Sequence, residues 1–139
     1  MGSDGPTTLV IDGNNVVGAG VAGWWRDPPA AVRRLLERLR CSVTVSGGHV
    51  VLVLDVPQPD LVEGDHGGVV VRYAARRGRD AADERILELL DAGFPGDADG
   101  PALVEVITSD RALAEGARQR GARVTGAGTF LARLDDQGC

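Results

Sequence analysis

Lysine is missing from this sequence, and its 15 basic residues are all arginine. Cysteine and histidine are scarce as well. Cys41 and Cys139 are too far apart to form a metal-ligand motif, and His49 and His66 have no cysteine pair to join, which argues against a zinc site. Nothing suggests a disulfide framework, so a reducing cytoplasm is the expected compartment. No apolar run approaches membrane-spanning length, and Met1 to Pro6 has neither the basic nor the apolar part of a signal sequence. A soluble, intracellular protein with no membrane partner is expected. The net charge of −5 disfavours adhesion of the whole surface to nucleic acid, although a local cationic patch remains open.

The chain does have enough apolar residues for one real core. At 139 residues, with 43% hydrophobic and 25% charged residues, it suits a single domain over residues 1–139. Thr8 to Ile11 is short, apolar and β-branched without alternation, the pattern of a central strand covered on both faces. It ends in Asp12-Gly13-Asn14-Asn15. Asp, Gly and Asn are ordinary turn formers, but the carboxyl end of a parallel strand is also where α/β sheets place their chemistry.

Further along, Val16 to Gly23 is small and glycine-punctuated, and Trp24-Trp25-Arg26-Asp27-Pro28-Pro29 interrupts it. A helix is expected from the prolines, with Val32, Leu35, Leu36 and Leu39 as its apolar stripe. His49 to Val56 reads as a second buried strand with Asp55 at its carboxyl end, Pro57 to Gly68 as a loop, and Val69 to Tyr73 as a third strand. The next helix has an acidic first turn of Asp80, Asp83 and Glu84, a stripe of Ala82, Ile86, Leu89 and Leu90, and Gly93 as its stop. After a connector over Phe94 to Pro101 come a strand from Leu103 to Ile107 ending in Thr108-Ser109-Asp110, a helix from Ala112 to Arg120, and a short strand from Arg123 to Thr125. A last helix, from Thr129 to Leu134, follows. Strands alternating with helices in this way predict an α/β sandwich with a largely parallel central sheet and helices on both faces.

Three strands thus end in an acid: Asp12, Asp55 and Asp110. If they are parallel, the three acids share one sheet edge, and the acidic helix start can face the same crevice. So much like charge calls for cations, and carboxylate oxygens suit Mg²⁺ or Mn²⁺. Such a site suits phosphodiester hydrolysis, with Asn15, Thr108 and Ser109 as candidates for holding a bound water or a phosphate oxygen. Each acid also has a purely structural reading. Asp80 with Asp83 resembles a capping box, and acids in a first turn are favoured by the helix dipole. Arg76, Arg77 and Arg79 form a cationic segment suited to an RNA backbone, and one of Trp24 and Trp25 could stack unpaired bases while the other packs inward.

In this order the motifs resemble a known family. Asp12-Gly13-Asn14-Asn15-Val16-Val17-Gly18 resembles the opening motif of NYN domains of the PIN-like nuclease superfamily, particularly the bacterial YacP-like branch. Trp24 to Asp27 is similar to a segment of actinobacterial members, Asp80 to Ile86 resembles the acidic helix start, and Thr108-Ser109-Asp110-Arg111 resembles the last motif. The resemblance spans most of the chain and implies a PIN-like three-layer sandwich. It also implies a divalent-metal-dependent ribonuclease, expected to be an endoribonuclease of RNA processing or decay, with Asp12, Asp83 and Asp110 as catalytic metal-site acids and Asn15 beside them. Glu84 stands where many relatives carry a second Asp, which lengthens the arm, and Val56 follows Asp55 where Gly is common.

Three other functions could use parts of this pattern. A phosphoacceptor receiver would explain Val53-Leu54-Asp55-Val56-Pro57, but receivers engage the phosphoryl group with a lysine, and there is none. A carboxylate phosphatase using Asp12 commonly wants a second Asp two positions on, where Asn14 stands. The remaining alternative is a non-catalytic RNA-binding or scaffold module. Single-stranded RNA is the expected partner, and the sequence leaves homo-oligomerisation open.

Overall fold

Apolar β-branched runs with no polar face need cover on both sides, and the two long central strands of the sheet are such runs. The computed structural model describes residues 7–20, 24–74, 81–92 and 103–139. Its elements are β1 (Thr7–Asp12), α1 (Gly13–Gly20), α2 (Pro28–Ser46), β2 (His49–Leu54), β3 (Gly64–His66), β4 (Val69–Tyr73), α3 (Ala81–Ala92), β5 (Leu103–Ile107), α4 (Arg111–Gln119), β6 (Arg123–Thr125) and α5 (Ala127–Asp136). The sheet order is β3-β4-β2-β1-β5-β6, and every adjacent pair is parallel except β3 with β4. The chain first builds outward from β1 through β2 to β4, then crosses to the other side of β1 for β5 and β6. The order therefore reverses beside β1, and the crevice at such a reversal is the usual ligand site of an open α/β sheet.

Two cores flank the sheet. Ile11, Leu52, Leu54, Val71 and Ile107 point to one side, where α1, α2 and α5 contribute Val16, Leu35, Leu39, Phe130 and Leu134. Val10, Val51, Val53 and Val106 point to the other, against Ala82 and Ile86 of α3 and Leu113 and Ala117 of α4. The result is the three-layer α/β sandwich that the alternation of strands and helices predicts. The proline-started helix also has its expected stripe, since Val32, Leu35, Leu36 and Leu39 are all buried. Asp27 caps it by accepting from the Ala30 N–H at 3.2 Å, and the Gly47 N–H closes it on the Val43 carbonyl at 2.8 Å. No helix among the described residues is long and apolar enough to cross a membrane.

The structure departs from the sequence expectation in three places. The glycine-punctuated stretch after Asp12 forms α1, which starts at Gly13 with no intervening turn and buries Val16 and Val17. Gly13 is needed because a Cβ there would meet Leu54 Cδ2 at 2.6 Å and the Val53 carbonyl oxygen at 2.9 Å. Gly13→Ala is expected to cost about 1–3 kcal/mol of unfolding free energy, as overpacking does, and urea denaturation would measure it. Next, the expected loop over Pro57 to Gly68 contains β3, turned back onto β4 through Gly67 and Gly68 at φ 67° and 92°. Two consecutive positive-φ positions are what a two-residue hairpin turn requires.

The third departure concerns the cysteines, whose spacing carries no sign of a disulfide. Cys41 and Cys139 are bonded, with Cα atoms 5.7 Å apart across a sequence separation of 98. After α5 the chain folds back onto α2. Arg38 donates through Nε to the Cys139 carbonyl at 3.1 Å and through Nη2 to Asp135 Oδ1 at 2.5 Å, while Ser42 Oγ donates to Gln137 Oε1 at 2.7 Å. Sequence separation hid this tertiary contact. The expected stop at Gly93 and connector over Phe94 to Pro101 lie outside the described residues.

Candidate carboxylate site

The parallel register carries the three strand-end acids to one edge of the sheet. Asp12 ends β1, Asp55 follows β2, and Asp110 lies three residues beyond β5. Asp12 is buried, with 4% of its surface exposed. Burial, opposed by the hydroxyl of Thr108 and reinforced by the charges of Asp55 and Asp110, raises its pKa from 3.8 to about 6.

Thr108, also buried, is the hinge of the site. Its Oγ1 donates to Asp12 Oδ2 at 2.8 Å and accepts from the Asp110 N–H at 3.0 Å. Asp110 Oδ1 in turn accepts from the Leu113 N–H at 2.9 Å, so this acid caps α4 as well as facing Asp12. One hydroxyl thus fixes the spacing between the ends of the two strands at the reversal.

The two asparagines of α1 secure the neighbouring strand exits. Asn14 Oδ1 accepts from the Asp55 N–H at 2.8 Å on the β2 side, and Asn15 Oδ1 accepts from the Ser109 N–H at 2.8 Å on the β5 side. Ser109 Oγ then accepts from the Ala127 N–H at 2.9 Å, tying in the start of α5. Asp55 Oδ1 accepts from the Ala82 N–H at 3.1 Å and holds the first turn of α3, which carries Asp83 and Glu84. Asn15, Thr108 and Ser109, read from sequence as groups for water or phosphate, therefore spend these atoms on positioning. Asn14 was not singled out as a site residue. Its adjacency to Asn15 at a strand end was the available signal.

Trp24 and Trp25, 40% and 64% exposed, pack edge to face at 6.4 Å, so neither ring is turned into the core. Arg26 lies over the Trp25 ring at 6.0 Å. Arg76, Arg77, Arg79 and Asp80 lie outside the described residues. A cavity of about 520 Å³ is lined by Thr108, Ser109 and Asp110 together with Arg111 and Arg118 of α4. Those two cations were not among the sequence candidates.

Among the described residues, no group of three or more His, Cys, Asp or Glu side chains is arranged to hold a metal ion. The meeting of strand-end and helix-start acids read from the sequence is therefore no preformed cage among the described residues. The donors present are all oxygen, and Asp12 releases its proton near neutral pH. This set fits a hydrated ion that is held through one or two carboxylates and keeps several waters, as Mg²⁺ usually is.

No family model and no curated protein matches the chain. Two crystal structures of Rae1 (YacP) from Bacillus subtilis are similar to it in fold. A single-residue mutant superposes with a TM-score of 0.76 at 22% sequence identity, covering 95% of this chain and 77% of that chain. The other superposes with a TM-score of 0.70 at 23% identity, covering 94% and 75%. The chain has a YacP-like fold.

Proposed function

We propose that this chain is a PIN-like ribonuclease of the NYN type, which cleaves single-stranded RNA endonucleolytically with Mg²⁺ or Mn²⁺ at the carboxyl edge of its sheet. The observation that carries this reading is the Asp12–Thr108–Asp110 arrangement at the strand reversal, with Asp55 and the α3 acids secured beside it. Asp12 and Asp110 are the proposed direct ligands, and Asp83, Glu84 and Asp55 complete the negative field. A divalent ion bound there would polarise the phosphoryl oxygens and lower the pKa of water.

The protein's own groups position the substrate and manage the proton. Asp12 ionises only above about pH 6, so that step readies the site, and burial keeps its charge undiluted by solvent. Arg111 and Arg118 supply cations for the RNA backbone beside the acids, with Arg76, Arg77 and Arg79 as further candidates. A cytoplasmic location is part of this proposal, since RNA processing and decay take place there. The lack of a three-ligand group among the described residues favours one second reading, an RNA-binding module without turnover.

Mn²⁺ titration by calorimetry and cleavage of a labelled single-stranded RNA, with and without the ion, test the proposal. Metal binding that Asp110→Asn abolishes, together with metal-dependent cleavage by the wild type, supports it. Binding of RNA without cleavage favours the module. Thr108→Val keeps the shape and removes the hydroxyl, so cleavage is expected to fall about 10- to 100-fold, the range for an outer-shell partner of a ligand. Its pH profile should also move upward, because the lost hydrogen bond is one that lowers the Asp12 pKa. An unchanged profile would remove Thr108 from the proposal.

A further inference from the structure

The carboxylates leave unexplained a cleft beside them, past the ends of β2 and β4. This cavity of about 630 Å³ is lined by Pro57, Gln58, Leu61, Val62, Tyr73 and Arg85, among others. Among the described residues, only two side-chain polar atoms are buried without a hydrogen-bond partner, Gln58 Oε1 and Arg85 Nε. Both belong to residues that line this cleft. A buried polar group left unmade is unfavourable, so an acceptor and a donor stranded in one place call for a ligand that offers the complementary pair.

The surroundings restrict what that ligand can be. Pro57, Leu61 and Val62 make an apolar wall, and the acceptor Oε1 would repel a phosphate oxygen. A flat, polar-edged ring suits both features. The wall is also anchored: Tyr73 donates its hydroxyl to the Leu61 carbonyl, that hydroxyl accepts from the Gln58 N–H at 3.2 Å, and the Tyr73 N–H donates to Glu63 Oε1 at 2.8 Å. Arg85 follows Asp83 and Glu84 on α3, whose first turn is tied to Asp55. Since β1, β2 and β4 are neighbours, the cleft lies two strand spacings, about 10 Å, along the edge from Asp12.

We infer that this cleft is a nucleobase subsite that takes one unpaired base of the strand whose phosphate lies at the carboxylates. Arg85 Nε donates to an acceptor on the base edge, Gln58 Oε1 accepts from an amino or ring N–H group, and the apolar wall covers the ring. The inference rests on the RNA reading above and adds to it a position-specific contact.

The test uses the full chain in EDTA and a set of fluorescent single-stranded RNA octamers, each with one abasic ribose at a successive position. Anisotropy should show one position at which losing the base weakens binding by about tenfold, within the range for a single stacked base. In Arg85→Met and in Gln58→Leu that penalty should shrink to less than about twofold, while abasic substitutions elsewhere behave as in the wild type. Melting curves establish that each variant is folded, and either one suffices. A penalty unchanged in the variants, or spread evenly along the strand, overturns the subsite. Parallel cleavage with Mn²⁺ separates the two readings. Cleavage with no position-specific penalty keeps the nuclease and removes the subsite, and a penalty without cleavage does the reverse. Absence of RNA binding removes both.

Discussion

Asp12→Asn is expected to remove metal-dependent cleavage and, at neutral pH, to make the protein more stable. Cleavage should fall by at least about 100-fold, since even an outer-shell partner of a metal ligand can be worth that much. The gain in stability follows from burial. The carboxyl's folded pKa of about 6 lies above its ordinary 3.8, so the folded state binds the proton more tightly than the unfolded chain does. The penalty for ionising Asp12 is therefore absent below about pH 4, builds up between about pH 4 and 6, and is complete above. At about 1.4 kcal/mol per tenfold change in proton affinity, it amounts to roughly 3 kcal/mol, which an uncharged amide of the same shape avoids. Urea unfolding of both proteins near pH 4 and near pH 7.5 tests this. The curves should nearly coincide at the lower pH and separate at the higher, and a variant less stable than the wild type at both would contradict the assignment of Asp12 as an unfavourable buried charge. Activity that survives in the variant would take Asp12 out of the mechanism.

Reducing the Cys41–Cys139 bond is expected to have the other large effect, on stability alone. The bond spans a sequence separation of 98, and chain entropy assigns about 4.7 kcal/mol to closing a loop of about 100 residues. Cys139→Ser should therefore lower the unfolding free energy by up to about that amount. A reductant should bring the wild type onto the variant's curve and leave the variant unmoved. Cleavage should be unaffected, because Ser42 and Gln137 beside the bond line a cavity shared with Thr7 and His49, the first residues of β1 and β2, at the opposite, amino edge of the sheet. A loss well under about 1 kcal/mol would mean that the staple does not constrain the unfolded chain. Disulfides are rare in a reducing cytosol, so in that compartment the pair would stand as two thiols and the lower stability would apply.

What the sequence made legible was decided by local physics. Thr8 to Ile11 and His49 to Val56 are short apolar runs with the pattern of strands covered on both faces, and Leu35 and Leu39 share one helical stripe that a sheet can cover, so the layers followed from pattern. The shared edge of Asp12, Asp55 and Asp110 followed as well, because parallel strands align their carboxyl ends. Contacts that depend on distant parts of the chain were not legible. The Asn14 carboxamide meets the Asp55 backbone across 41 residues and Thr108 meets Asp12 across 96, and neither spacing carries a periodic signal. α1 was hidden for a different reason: its glycines argue against a helix, and only the closeness of β2 explains why Gly13 must lack a side chain.

The two ends of the sheet bear on how the molecule behaves in crowded solution. Its outermost strands, β3 and β6, are three residues long, and each carries a charged residue, Asp65 or Arg123. Unpaired strand backbone is a template for edge-to-edge aggregation, and short, charged strands are how natural sheets blunt it. The long apolar strands β1 and β2, which would be the adhesive ones, are paired on both sides within the sheet. Partial unfolding that strips β3 from β4 would uncover Val69 to Val71, and self-association on heating should begin at that edge.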